Sequence, residues 1–317
     1  MSFALLGVGA VLAVFAAATS LAAVLAWPLA GRLLDAGTRH PAWRARRLFA
    51  LRVLPALLGL ALAVGLALPA YLLFEPRDAS ETPGLVLVLL ALAGGLAIAS
   101  GLHRALVGWW TSRRLGRRWL REGRPLELPG APAAAYRIRD PFPVVSVVGI
   151  LRSRLFLAEQ VVERLSKPEL AAVLAHEAGH LAAHDNLKRL ALRLAPALPW
   201  PAAARRLEEA WEQAAEEACD AHAGSALELA AALVKTARLA PAGSRIEVPA
   251  AAFHRGGSLA RRIRLLTERP EMAPAAPSRG QRLSGIALAG TAALGLVWAP
   301  AVLSGVHRLL ECLVRLP

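Results

Sequence analysis

Ser166-Lys167-Pro168-Glu169-Leu170-Ala171-Ala172-Val173-Leu174-Ala175-His176-Glu177-Ala178-Gly179-His180 is the stretch from which the rest of the chain is read. Ser166, followed three residues later by Glu169, is a capping-box signature: hydroxyl and carboxylate each satisfy a backbone N–H left open at a helix start. Pro168 lies in the first turn, where its missing N–H costs little. Leu170, Val173 and Leu174 carry the helix on to the two histidines. A spacing of four puts His176 and His180 on one helix face, where two neutral imidazoles can hold one zinc ion. Zinc lowers the pKa of water towards neutrality. Glu177, one residue round the helix, is placed to take that water's proton without being a ligand, then pass it to the leaving amine. That is the mechanical content of H-E-x-x-H. The competing reading is a helix with two incidental surface histidines, which the well-marked helix start weakens.

Such a site needs a third ligand and one open position. His184 is near in sequence. Along a continuous helix it would stand about 12 Å from His176 at 1.5 Å per residue, too far for one tetrahedral ion. A third histidine downstream requires a Gly-assisted chain reversal, which is absent here, so His184 is read as a surface or supporting residue. The second source is Glu216-Glu217-Ala218-Cys219-Asp220-Ala221-His222. A Glu on a second helix would complete a His2Glu site, and an Asp one turn later could accept the free N–H of a ligand His and fix its tautomer. Spacing alone leaves Glu216 and Glu217 both open, and an acidic run is otherwise a solvated face. His222 is either an oxyanion stabiliser for the tetrahedral intermediate or a helix-surface histidine.

Outward from this core the chain turns strongly apolar. It has 317 residues, 56% of them hydrophobic, against about half in a soluble domain. Phe3 to Gly31, Val53 to Phe74, Thr82 to Leu102 and Leu283 to Val306 contain no charged residue. Each is long enough to cross a bilayer core of about 30 Å as a helix, the state in which backbone groups are bonded internally. The first run has no basic start and exceeds the apolar region of a secretory signal, so it reads as an uncleaved membrane helix. The net charge is +14. Residues 32–52 contribute six Arg and one Asp, residues 104–124 seven Arg and one Glu, and the loop 75–81 is acidic. Basic connections stay cytoplasmic, so the pattern predicts alternating sides, with the arginines against anionic lipid headgroups. Because the basic clusters abut span ends, direct nucleic-acid binding is not expected. Cys219 and Cys312 are the only cysteines, too few for a disulfide framework or a Cys-based zinc knuckle.

Three divisions follow: residues 1–124 with spans at about 3–31, 53–74 and 83–110, a metallopeptidase region at 125–282, and a fourth span at about 283–306 with a short tail to 317. Trp109 and Trp110 suit an interfacial belt. Within the middle region Ala135–Arg139 alternates like a strand. Val144–Ile150 and Leu155–Leu157 are short strand-like runs, and a second long helix is expected over about 202–223. Pro196, Pro199 and Pro201 interrupt the chain before it.

Three stretches resemble the BlaR/MecR-type integral-membrane zinc metallopeptidases, the β-lactam sensor-transducers and their relatives. Val148 to Leu157 is similar to the strand region before that family's active helix, with Ser153 where the family often has Pro. Leu170 to Asp185 resembles its H-E-x-x-H helix, including an Asp five residues after the second His. Glu216-Glu217-Ala218-Cys219-Asp220 matches its E-x-x-C-D pattern. The resemblance implies a mainly α integral membrane protein: about four transmembrane helices with a cytosolic α+β zincin-like domain between the third and fourth, in a bacterial-type inner (plasma) membrane. It implies zinc held by His176, His180 and Glu216, Glu177 as general base, Asp220 as supporting carboxylate, and Glu217 turned to solvent or a nearby Arg. It also implies a protein substrate such as a cytosolic transcriptional repressor, or the chain itself, cut to relay a signal. Sensor-transducers continue into an external penicillin-binding domain, whereas little follows Val306 here, so the resemblance supports the protease and not antibiotic sensing. Two alternatives stand: a quality-control or processing peptidase of the related membrane family with H-E-x-x-H and E-x-x-x-D motifs, and a non-catalytic membrane scaffold, against which the intact Glu177 argues.

Overall fold

The computed structural model describes residues 2–35, 40–76, 82–150, 152–240, 256–268 and 300–315. Three helical runs are long and apolar enough to cross a membrane: Phe3–Leu34, Pro41–Phe74 and Leu85–Glu122. The first is α1 (Phe3–Asp35). The second comprises α2 (Pro41–Leu62), a π-helical turn at Ala63–Ala67 and α3 (Leu68–Phe74). The third is α4 (Leu85–Glu122). Their leucines face outward, Leu25 at 69% and Leu96 at 70% exposure, which suits contact with lipid rather than water.

The basic stretches expected as loops are largely helical. α2 already begins at Pro41, and α4 continues through Trp110 to Glu122. Arg and Leu are strong helix formers, and no proline interrupts α4 before Gly123 closes it. The end of α4 runs into the next domain: Trp119, 1% exposed, packs against Phe156 in that domain's core.

That domain begins with a four-stranded sheet, β1 (Arg124–Leu126), β2 (Ala134–Ile138), β3 (Val145–Val148) and β4 (Arg154–Ala158), in the order β1-β2-β4-β3. β2 and β4 are parallel and the other pairs antiparallel, which leaves β3 on an edge. β1 escaped the sequence reading because three residues give no periodicity. Against the sheet lie α5 (Glu159–Arg164), α6 (Lys167–Ala182) and α9 (Ala226–Leu239). α6 starts as expected: Ser166 accepts from the Glu169 N–H, and the Ser166 N–H donates to Glu169 Oε2 at 2.7 Å.

The chain then reverses at His184, whose φ of 55° is left-handed. α6 therefore stops at Ala182, and a separate helix, α7 (Asp185–Leu194), follows. α7 and α8 (Pro201–Asp220) bridge to the membrane-type helices through a core of Ala30, Ala45, Leu48, Leu192, Leu207 and Trp211. Along α8, Leu207, Trp211, Ala214 and Ala215 are buried, while Ala218 is only partly so. α8 ends at Asp220, short of the expected 223. α10 (Gly256–Glu268) packs on α8 and α9.

α11 (Pro300–Arg315) packs at the opposite end of the bundle, where the Gly84 N–H donates to Val314 O at 2.8 Å and Leu303 joins Leu6 and Tyr71. The expected fourth span at 283–306 lies outside the described residues up to 299; from Pro300 the chain is this amphipathic helix.

Candidate metal centre

The candidate ligand set is assembled where α6 crosses α8. Gly179 permits the crossing: a Cβ there would stand 3.3 Å from the Cys219 side chain. Glu216, about one turn before Cys219, thereby reaches the two imidazoles. Its carboxylate oxygens lie 3.7 Å from His176 Nε2 and 3.4 Å from His180 Nε2. One atom from each of the three residues falls within 4.8 Å of the others. Ligands at zinc's usual distance of about 2.0–2.2 Å sit about 3.3 Å apart in a tetrahedron, and spacings of this order suit one zinc ion. The Glu216 carboxylate is buried. Although Arg262 Nη1 approaches to 3.0 Å, neither oxygen accepts a well-directed hydrogen bond among the described residues. A buried carboxylate aimed between two imidazoles suits a metal cation held by the three side chains.

Each imidazole is held from behind by its own carboxylate. His176 Nδ1 lies 2.9 Å from Asp220 Oδ1, and His180 Nδ1 lies 2.8 Å from Asp185 Oδ2. Both partners fix the ring so that Nε2 faces the focus. Burial pulls both imidazole pKa values down. At His176 the Asp220 and Glu216 carboxylates outweigh it and the net shift is upward. At His180 Cys219, Glu216 and Asp185 do the same, and the net value is well above the ordinary one. Burial pushes the Glu216 carboxyl up, but His180, His176 and Arg262 together hold it well below the usual range. A field that favours positive charge on two imidazoles favours a dication between them more strongly.

Glu177 is 4% exposed. Burial raises its carboxyl pKa, against the pull of both histidines and of the Val147 N–H that donates to Oε2 at 3.2 Å. A carboxylate raised in this way is a better proton acceptor near neutrality. It borders a cleft of about 450 Å³ lined by Val145, Val147, His180, Asn186 and Arg189 among others. β3 forms one wall and α7 the other.

The structure brings His176, Glu177, His180, Glu216 and Asp220 together. His222 is exposed in the turn after α8 and does not line the cleft. His184 is exposed, lines the cleft and is not in the ligand group. The chain does reverse there, with a left-handed His in place of Gly, but the reversal sends it into α7. Glu217 is buried rather than solvent-facing and is paired with Arg261 at 2.9 Å. Cys219 is a buried thiol whose pKa burial raises, which disfavours a thiolate ligand.

Sequence reasoning missed Arg262. Its guanidinium, 2% exposed, makes two bonds to Asp220, at 2.8 and 2.6 Å. The signal was there: Leu259, Ile263 and Leu266 form the apolar stripe of α10, and Arg262 falls within it. An arginine in a buried stripe implies a buried acid. Asp185 was noticed only as part of a pattern, and Asn186 not at all.

Residues 126–247 match the sequence model of Peptidase family M48. No curated protein and no solved structure matches the chain. The match supports a metallopeptidase function; M48 enzymes are zinc metallopeptidases, and the match makes no BlaR/MecR-type assignment.

Proposed function

We propose that this protein is a membrane-bound zinc endopeptidase that cleaves polypeptides at the cytosolic membrane face. The observation that carries it is the convergence of His176, His180 and Glu216 on one focus, with Glu177 beside the cleft. A zinc ion held there would supply a Lewis acid for the scissile carbonyl and acidify the attacking water. Glu177 takes the proton and returns it to the departing amine. Asp220 and Asp185 keep the two rings in register, and Arg262 keeps Asp220 and Glu216 ionised in a buried site. His222 has no part in this reading.

The membrane placement rests on the three apolar helices. The arginine-rich ends at 32–52 and 104–124 favour the cytosolic side, and the peptidase domain sits at that end, gripped by Arg52 and Arg104. A fourth crossing at about 283–306 is part of this reading and rests on that stretch being free of charge.

The BlaR/MecR-type resemblance favours a repressor-like cytosolic substrate, or self-cleavage, in signal relay. The M48 match, together with the E-x-x-x-D spacing of Glu216 and Asp220, favours the second reading of a processing or quality-control peptidase. Comparing the proteomes of cells carrying the native chain and Glu177→Gln separates them. One accumulating soluble regulator supports signalling, a broad set of membrane proteins supports quality control, and identical proteomes would count against a peptidase.

A further inference from the structure

The outer edge of β3 is partly occupied by side chains. Its inner edge belongs to β4: the Ala158 N–H donates to Val144 O at 2.8 Å, and Ser146 and Val148 stand opposite Phe156 and Arg154. In an antiparallel pair the hydrogen-bonding residues alternate, so the backbone groups of Val145 and Val147 face away from β4, into the cleft that both residues line. Such an edge is a template for an added extended chain. Here Asn186 Nδ2 donates to Val147 O at 3.1 Å and to Gly149 O at 2.9 Å. One amide thus satisfies two carbonyls along the edge, as the N–H groups of an added strand would. The Val147 N–H meanwhile is held by Glu177 Oε2.

Resting on the peptidase reading, we propose that Asn186 is a specificity-determining latch on the β3 edge, which an extended polypeptide must displace to enter the cleft. The substrate class is then an unfolded or locally extended chain, because only a free backbone strand can offer N–H groups to Val147 and Gly149. Gly149 suits the position: its φ of 115° is left-handed, and a Cβ would come within 2.5 Å of Arg152 O. A substrate carbonyl that takes the Val147 N–H leaves Glu177 Oε2 free to receive a proton. Docking the chain and releasing the base are one exchange of hydrogen bonds, with no bond made or broken in the protein.

The test uses the full-length, zinc-loaded protein in detergent with β-casein as the unfolded substrate. Asn186→Ala removes the latch, and Asn186→Asp keeps its shape without the N–H donors. Both should lower KM about fivefold, with zinc content equal to that of the unmodified protein. KM unchanged or raised in both variants at equal zinc content overturns the proposal. A variant that loses zinc or melts early is bypassed by a second measurement on the unmodified protein: a casein-derived peptide inhibitor is N-methylated at each backbone position in turn. One or two positions should abolish inhibition, and uniform tolerance overturns the strand-displacement model. If the unmodified protein leaves casein intact altogether, the peptidase reading itself fails, an outcome distinct from either of these.

Discussion

At the scale of single residues the site depends on what stands behind the ligands. Arg262 holds Asp220 with two buried bonds, and Asp220 in turn holds His176. Arg262→Gln should leave the ligands in place but weaken zinc binding about 10- to 100-fold, read by competition with a chromogenic chelator. Unchanged affinity would remove Arg262 from the metal centre. The neighbouring glutamates separate in the same assay: Glu216→Ala removes a ligand and should nearly abolish binding, whereas Glu217→Ala breaks the pair with Arg261 and should cost folding stability with little effect on zinc. Glu169 gives a pH signature. Burial raises its carboxyl pKa, but Lys235 and the Ser166 N–H and hydroxyl outweigh this, and the net shift is downward. A carboxyl lowered on folding stabilises the protein fully above its unfolded pKa, and this contribution is lost as the pH falls through the folded value. The melting temperature should therefore drop on acidification below about pH 4. Lys235→Ala should flatten part of that drop, and Ser166→Ala should cost about 1 kcal/mol at neutral pH.

At the scale of elements, α7 links the two halves of the molecule. Its first turn carries Asp185 and Asn186 into the cleft. The carbonyls just after it are gripped from the membrane-type helices: Arg52 bonds Ala195 O and Pro196 O at 2.9 and 3.0 Å, and Arg104 bonds Ala195 O at 2.8 Å. Arg52, with a side chain 3% exposed, also pairs with Glu208. Breaking a buried pair of this kind costs about 3 kcal/mol, so Arg52→Ala should speed proteolytic nicking near Pro199 and lower hydrolysis. Arg118→Ala, whose pair with Glu122 is exposed, should change neither. α7 itself was not legible from sequence, because the left-handed turn at His184 uses no glycine to mark where α6 ends. α6 was legible to its first residue, since Ser166, Pro168 and Glu169 mark a helix start by local chemistry alone. β2 was legible as an alternating stretch and β3 and β4 as apolar runs, but their order was not, for pairing is decided by partners distant in sequence. His176 and His180 were readable as a pair because helical spacing puts them on one face, whereas Glu216 was favoured over Glu217 by the resemblance alone, since spacing left both open. Arg262 was obscured by its basic neighbours Arg261 and Arg264.

At the scale of the molecule, the arrangement places the peptidase domain at the arginine-rich end of the bundle and α11 at the other. Reporter fusions at Asp78 and Gly243 should therefore report opposite sides, with Gly243 cytosolic, and a fusion after Arg315 should agree with Asp78. Agreement between Arg315 and Gly243 would remove the fourth crossing. The central claim is that one zinc ion and one carboxylate do the chemistry, and it is tested most directly by metal content and hydrolysis measured together on the unmodified protein and Glu177→Gln. The account predicts about one zinc per chain in both, with casein hydrolysis in the first and essentially none in the second. Loss of zinc from Glu177→Gln, or hydrolysis retained in it, would contradict the division between ligands and base.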